Sequence, residues 1–360
     1  MTARDHGQSE QAIDRIQPIQ PIQPTQSVHS IDRMSHLRRR LLIAMGAASA
    51  GTLGAAFAGQ AIAQVDKTIR FILPNATGSG VDAITRSAQP ALARTLGQTI
   101  IVDNQPGAGG LVGLQLLSRA APDGQTLSVV SNNVVIFPSV LKSIPFDMPG
   151  DFMPIAVVGY TPIVLVVNPK VPAKDAKELI ALLKAKGDTM NYASSGNGTI
   201  LHLACALFLD EAGVKARHIP YKGVGPMITD VIGGQVDFAT AALPSVQAHL
   251  KSGSLRAIGA ATTQRLPAAP DIPTFVEQGL PNYVVEAWFA VIGPKGLPAA
   301  DVQRIHAAVV ASFNDPAVRE AMNSQGNVIN IQSPEKSAAF FKSEMARYAE
   351  VVKRAGVVAQ

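Results

Sequence analysis

The sequence predicts a two-lobed α/β protein with mostly parallel sheets flanked by helices. Three features carry that prediction. Short β-rich runs alternate with helical patterns along most of the chain, which is how strand–helix–strand layering reads. Two strand–turn–helix starts share one design about 120 residues apart, at Phe71–Asp82 and Met190–His202. Two further β-rich stretches, near 160 and 288, stand where a chain would cross between lobes and return.

The elements follow in order. Residues 68–73 and 99–103 read as strands on either side of a helix over 81–96, with a second helix over 109–120 and a strand over 126–131. Val157–Asn168 is almost continuously β-forming around Tyr160-Thr161-Pro162, so strands at 154–159 and 163–167 make the first crossing. Helices at 175–186, 199–212, 224–233 and 244–251 then alternate with strands at 216–219, 236–240 and 255–260. A strand at 284–292 returns, with Trp288 and Phe289 as hinge or core packing, and helices at 299–312, 316–324 and 334–355 close the chain. Residues 64–164 and 287–360 are assigned to one lobe and 165–286 to the other.

The first 63 residues read as a leader. Arg38-Arg39-Arg40 precedes an uncharged run from Leu41 to Gly59, and Ala61-Ile62-Ala63 is a small-x-small cleavage site before Gln64. That order is a bacterial secretory signal, and it predicts a periplasmic protein cleaved after Ala63. Arg38-Arg39 also suits twin-arginine export, and Met34 would be a normal start for such a signal. The segment before it, with its Gln-Pro-Ile-Gln-Pro repeat, is predicted to be disordered. The 360-residue chain has a net charge of +5, and the leader holds six Arg and four acids, so the mature part carries 5 − 2 = +3. Its Lys and Arg do not cluster with aromatics, which argues against a nucleic-acid partner. One cysteine, Cys205, excludes an internal disulfide and lies in a helical apolar pattern, so it reads as a buried thiol. There is no Gly-x-Ser-x-Gly elbow, and the seven His show no metal-ligand spacing. No catalytic residue, metal or cofactor is predicted, and a monomer is expected.

The two glycine-rich turns carry the chemistry. Each leads from a β-rich run into a helix, so backbone N–H groups and hydroxyls gather at the positive end of that helix, where an anion binds. The candidate ligand-binding set is Thr77, Gly78, Ser79, Gly80 and Asp82 in the first turn, Ser194, Ser195, Gly196, Gly198, Thr199 and His202 in the second, and Asn133, which with Asn132 either reaches the far end of the ligand or caps the loop. Asp82 would repel an anion directly, so its expected task is local, either to accept loop N–H groups or to complement the helix start. His202 either attracts a carboxylate as a cation or braces the loop as a neutral ring. Lys222 offers a cation near the cleft or a solvated loop side chain, and Asn104–Gly110 reads as a structural connection. A rival reading is an exported NAD(P)-binding oxidoreductase: Gly78-x-Gly80-x-x-Ala83 follows a strand and Asp103 lies twenty residues after Ala83, as in a dinucleotide fingerprint. The second turn and the charge of Asp82 beside a pyrophosphate weigh against it.

Several motifs resemble one family. Gly78-Ser79-Gly80-Val81-Asp82 with Arg86, Asp103–Gly110, Ala121-Pro122-Asp123-Gly124-Gln125-Thr126-Leu127, Tyr192–His202, His218-Ile219-Pro220-Tyr221-Lys222-Gly223, and Pro270-Asp271-Ile272-Pro273-Thr274 with Glu277 and Gly279 resemble the periplasmic solute-binding proteins of the tripartite tricarboxylate transporter family, also called the Bordetella uptake gene family. The resemblance implies a Venus-flytrap periplasmic binding protein that captures a small organic carboxylate for membrane transporter subunits or a sensor. It also implies that the two loops hold the carboxylate, largely through backbone groups and bound water. Asn75 and Thr77 depart from the family's usual first loop. Thr240-Ala241-Ala242 is neutral where many relatives carry an acid, which implies a ligand without an ammonium group.

Overall fold

The computed structural model describes residues 68–357, and the signal-peptide reading lies outside them. In chain order the strands are β1 (Ile69–Leu73), β2 (Ile100–Asn104), β3 (Thr126–Ser131), β4 (Phe152–Val167), β5 (Asn191–Ser194), β6 (Arg217–Pro220), β7 (Phe238–Ala242), β8 (Arg256–Ala260), β9 (Glu286–Pro294) and β10 (Val328–Ile329). The helices are α1 (Gly80–Leu96), α2 (Leu111–Ser118), α3 (Asn133–Val140), α4 (Ala176–Lys186), α5 (Ile200–Glu211), α6 (Val224–Gly233), α7 (Leu243–Lys251), α8 (Ala299–Phe313), α9 (Pro316–Ser324) and α10 (Pro334–Arg354).

The strands form two mixed sheets that share β4. In the first, β2, β1 and β3 are parallel, then β9 and the first part of β4 run antiparallel. In the second, β6, β5 and β7 are parallel, and the last part of β4 pairs antiparallel with β7 and β8. The parallel ladders expected from the strand–helix alternation are present. The antiparallel pairs belong to β4 and β9, the two crossing strands, so the sheets are mixed rather than mostly parallel.

The two strands expected at 154–159 and 163–167 are one sixteen-residue strand. Pro162 faces Glu286 of β9 at the end of one ladder, and Ile163 faces Ala242 of β7 at the start of the next. Proline has no N–H to donate, so it falls where β4 changes partner instead of breaking the strand. The elements that escaped the periodicity include a helix and a short strand. Helix α3, Asn-Val-Val-Ile-Phe-Pro-Ser-Val, is β-branched and apolar, but six of its eight residues are buried; a helix hydrophobic all round survives only in a core. Strand β5 is four residues long, too short to show alternation.

Behind the return strand, Trp288 donates from Nε1 to Glu344 on α10 (2.8 Å) and packs edge-on against Phe340. Asn132, fully buried, accepts from Trp288 N (2.9 Å) and donates to Glu286 O (3.1 Å). It therefore ties the end of β3 to β9, and does not reach toward a ligand as the sequence suggested. Cys205 is buried, and burial pushes its thiol up to about 12, which keeps it protonated and inert.

Candidate functional site

The first loop joins β1 to α1. Ser79 has extended backbone (φ −70°, ψ 161°), and its Oγ accepts from Asp82 N at 3.2 Å, so it is the N-cap of α1. Gly78 precedes it at φ 80°, a left-handed conformation that glycine adopts without a Cβ penalty. Asp82 is buried and reaches back: Oδ2 accepts from Gly78 N (3.0 Å), while Oδ1 accepts from Arg86 Nε (2.9 Å) and Asn104 Nδ2 (3.0 Å). Asn104 also donates to Asn75 O at 3.0 Å and accepts from Arg86 at 2.8 Å. The Asp82 charge is thus balanced by Arg86 and committed to shaping the loop. Thr77 is exposed at its tip.

The second loop joins β5 to α5 and repeats the scheme. Thr199 is the N-cap (φ −73°, ψ 160°); its Oγ1 accepts from His202 N at 3.3 Å and donates to Gly196 O at 2.8 Å. Gly198 stands at φ 69°, and any Cβ there would run into Val140 of α3. His202 reaches back as Asp82 does, with Nδ1 accepting from Gly198 N at 3.0 Å. Ser195 donates to Thr199 Oγ1 at 3.2 Å. Ser194 is fully buried behind the loop, with Oγ 2.6 Å from His218 Nε2. The His202 and His218 rings stack 3.9 Å apart and within 8° of parallel, and Tyr192 stacks against His218 at 4.9 Å and against His202 at 6.2 Å. Burial, and then the neighbouring His218, push His202 down to about 3; burial pushes His218 down to about 4. Both rings are neutral near pH 7. Of the two roles the sequence left open for His202, the geometry fits the neutral brace, because Nδ1 accepts the Gly198 N–H and so carries no proton.

The two loops meet. A Cβ on Gly196 would stand 3.3 Å from Gly109 Cα, and one on Gly109 would stand 3.4 Å from Thr199 Cγ2. A Cβ on Gly80 would lie 2.9 Å from the Cβ of Ala242, and one on Gly223 2.9 Å from the Cβ of Ala76. Asn133, at the start of α3, bridges this seam: Oδ1 accepts from Ile200 N (2.9 Å) and Nδ2 donates to Gly109 O (3.4 Å). Both ends of that amide are therefore engaged by backbone. The turn at 104–110, read from sequence as a plain connection, is one wall of the seam. A cavity of about 10 Å³ remains there, lined among others by Asn75, Gly107, Ser195, Lys222 and Gly223, which is room for about one water molecule. Larger hollows of about 560 Å³ (beside Leu250 and Ile272) and about 280 Å³ (beside Tyr283 and Arg347) lie outside the seam.

Sequence reasoning left Lys222, Gly223 and Ala242 out of the candidate set. The His218–Gly223 motif was the available signal, because it ends beside the second loop: Tyr221 N donates to Ser194 O at 3.0 Å. The N-termini of α1, α5, α6 and α7 converge here, and those of α6 and α7 have no side-chain cap. The one acid among these loop residues is balanced by Arg86, and the imidazoles are neutral. Such a seam favours an anion by its N–H groups and helix ends. Asp103, the ribose acid of the dinucleotide reading, is taken up by Arg70 and by Gln105 Nε2 (2.9 Å). Among the described residues no group of three or more His, Cys, Asp or Glu is arranged to hold a metal ion, and no helix is long and apolar enough to cross a membrane.

Comparison with known proteins fits this geometry. The family described as "Tripartite tricarboxylate transporter family receptor" matches residues 84–357. Protein BugT of Bordetella pertussis is 34% identical over 292 residues, which cover 81% of this chain and 90% of that protein. The solved structure of R. palustris Rpa4515 with adipate is 26% identical with a TM-score of 0.79, covering 81% of this chain and 98% of the other. MatC from Rhodopseudomonas palustris with bound malate is 30% identical with a TM-score of 0.74, covering 79% and 98%. The fold is the two-lobed α/β fold of periplasmic binding proteins. The family is one of solute-binding receptors, not enzymes, which sets aside the exported oxidoreductase. The chain belongs to the tripartite tricarboxylate transporter receptor family.

Proposed function

We propose that this protein captures a small organic carboxylate in the periplasm between its two glycine-rich loops and delivers it to the membrane subunits of a tripartite transporter or to a sensor. The observation that carries the reading is the pair of matched N-capped loops, of which Asn75 and Ser195 line one seam whose walls hold no acid. The adipate and malate seen with two relatives support a carboxylate as the ligand class. In this reading Thr77, the Ser79 hydroxyl and the Gly80 N–H of the first loop and Ser195 of the second face the ligand, while Gly78, Gly196, Gly198 and Thr199 shape the loops through donors already engaged within them. Asp82, Ser194 and His202 hold the loops in shape, and Asn133 holds the seam closed. Each hydrogen bond to a carboxylate contributes about 1.5–3 kcal/mol, so three or four offset an association cost of about 4–15 kcal/mol without a buried arginine.

The lobes are proposed to be 64–164 with 287–360, and 165–286, hinged where β4 changes partner beside β9. Closure of one lobe on the other sequesters the ligand. The mature protein is proposed to begin at Gln64, as a monomer, and N-terminal sequencing of periplasmic protein checks that start. The test of function is a thermal-shift screen of the mature protein against mono-, di- and tricarboxylates and amino acids, followed by calorimetry on the hits. A carboxylate at 100 times its dissociation constant should add about 2.7 kcal/mol of stability. Stabilisation by amino acids or NAD with none by any carboxylate would overturn the reading.

A further inference from the structure

A cavity of about 280 Å³ lies between α5, the segment 282–285 and α10, and it shares no lining residue with the seam. Its body is apolar: Leu203 and Leu207 of α5, Val285 before β9 and Val351 of α10 line it. An apolar cavity of about 150 Å³ holds a benzene ring, so this one has room for a ring with a short side arm. The uncharged polar groups of the wall are already engaged. Tyr283 donates from its hydroxyl to Ala204 O (2.9 Å), the Tyr348 hydroxyl accepts from Asn132 Nδ2 (2.6 Å), and Asn282 donates to Glu211 (2.9 Å). What remains is cationic. Arg347 and Arg354 both line the cavity, and no acid does. Arg347 gives one nitrogen to Glu344 (3.0 Å), and Arg354 gives two, to Asp210 (3.4 Å) and Glu211 (3.1 Å). A guanidinium carries five N–H donors, so both keep donors for a further anion.

Two residues of the wall reach the bridge across the seam. Ile200 lines the cavity, and its backbone N–H is the one that Asn133 Oδ1 accepts (2.9 Å). Tyr348 lines it too, and its hydroxyl holds Asn132, the neighbour of Asn133. A molecule that fills the cavity therefore packs against both supports of that bridge.

We propose that this cavity is a second ligand site, separate from the seam, for a small amphipathic carboxylate. Its aromatic or aliphatic body sits between α5 and α10, and its anionic head lies on Arg347 and Arg354. Arginine suits the head, because its planar fork pairs with a carboxylate through parallel charge-assisted hydrogen bonds. Through Ile200 and Tyr348 the occupied cavity steadies the Asn132–Asn133 bridge, so the site acts on the seam without touching the molecule held there.

The test uses phenylacetate and 2-phenylethanol, which share a body and differ in the charged head. Both are titrated by calorimetry into wild-type protein and into Thr199→Asp, where a repelling charge at the seam leaves only the cavity to be read. Thr199→Asp should still bind phenylacetate, at least about tenfold more tightly than the alcohol. In that background Leu207→Trp fills the cavity and should abolish binding, and Arg347→Met should weaken the acid about tenfold and leave the alcohol unchanged. Leu207 is half-buried and the Arg347 side chain is 48% exposed, so circular dichroism should stay native in both. Exchange of the Ile200 amide hydrogen should slow several-fold when phenylacetate is bound to Thr199→Asp. No phenylacetate binding by Thr199→Asp, or binding that neither further substitution changes, overturns the site. Binding by wild-type protein that vanishes in Thr199→Asp but survives Leu207→Trp puts phenylacetate in the seam, which overturns the second site and supports the carboxylate reading of the first. Unchanged Ile200 exchange overturns the link between the two.

Discussion

In the first loop the residue three positions after the N-cap is a carboxylate, Asp82; in the second it is an imidazole, His202. Each accepts the N–H of the glycine just before the cap, Gly78 at 3.0 Å and Gly198 at 3.0 Å. The local geometry is the same and the electrostatics differ. Asp82 is paired with the Arg86 guanidinium and takes a further hydrogen bond from Asn104. His202 needs no counter-ion, because burial keeps it neutral and its ring is held by stacking on His218. A loop acceptor beside an anion site must not itself present net negative charge. One loop meets that condition by pairing and the other by neutrality, so the two should fail in different ways.

The largest expected effect comes from placing charge at the caps. Ser79→Asp and Thr199→Asp keep a good N-cap residue but add a negative charge at the proposed ligand position. At about 4 Å and an effective dielectric of 20, that repulsion is around 4 kcal/mol, or roughly a thousandfold in affinity. Carboxylate binding by calorimetry should disappear in both while circular dichroism stays native. Loss in only one would show that the loops do not share one ligand.

Next comes the charge balance that only the first loop needs. Arg86→Met leaves Asp82 with two neutral donors and no cation. Breaking a buried pair costs about 3–5 kcal/mol; because the Arg86 side chain is 45% exposed, about 1–3 kcal/mol is expected here. Denaturant unfolding should record that loss, and ligand affinity should fall with it, since an unbalanced carboxylate then faces the seam. No substitution of a cation should reproduce this in the second loop.

A smaller effect is expected at the bridge between the two. Asn133→Ala frees Ile200 N and Gly109 O and should cost about 1–3 kcal/mol if those groups stay buried. If the seam opens instead, small-angle scattering of ligand-free protein should show a larger radius. Affinity should then drop several-fold, because the closed state is less populated. Neither change would deny Asn133 its bridging role.

The last test separates the loops by pH. His202 and His218 titrate near 3 and 4 in the folded protein and near 6.5 when unfolded. Between those values the unfolded chain binds more protons, so stability is fully present above about pH 6.5 and declines as the pH falls toward 4. Protonating His202 Nδ1 would also remove the acceptor for Gly198 N. Urea unfolding of wild-type protein at pH 7 and pH 4.5 should show this slope. His202→Gln with His218→Gln should flatten it, leaving the first loop's behaviour unchanged.

Much of this was legible in the chain. Strand–helix alternation, the glycine-rich turns and the capping hydroxyls are local signals, because capping and turn formation are settled within four or five residues; Ser79-x-x-Asp82 and Thr199-x-x-His202 could be read directly. The family motifs are local too. What could not be read depends on residues distant in sequence. The mixed character of the sheets comes from β4 and β9 pairing across more than a hundred residues, with Pro162 set where the partner changes. Helix α3 reads as β-forming and is helical because a core surrounds it. The neutrality of His202 follows from burial and from a ring contributed by β6, and the charge balance of Asp82 draws on Asn104 of β2. The sequence offered Lys222 as a cation near the cleft, but that it lines one cavity with Asn75, 147 residues away, is decided by packing. The sequence alone set the caps, the turns and the order of elements. Only the packing of distant segments decided which charges are balanced and which donors face the seam, because burial and Coulomb interactions depend on distance in space and not on separation along the chain.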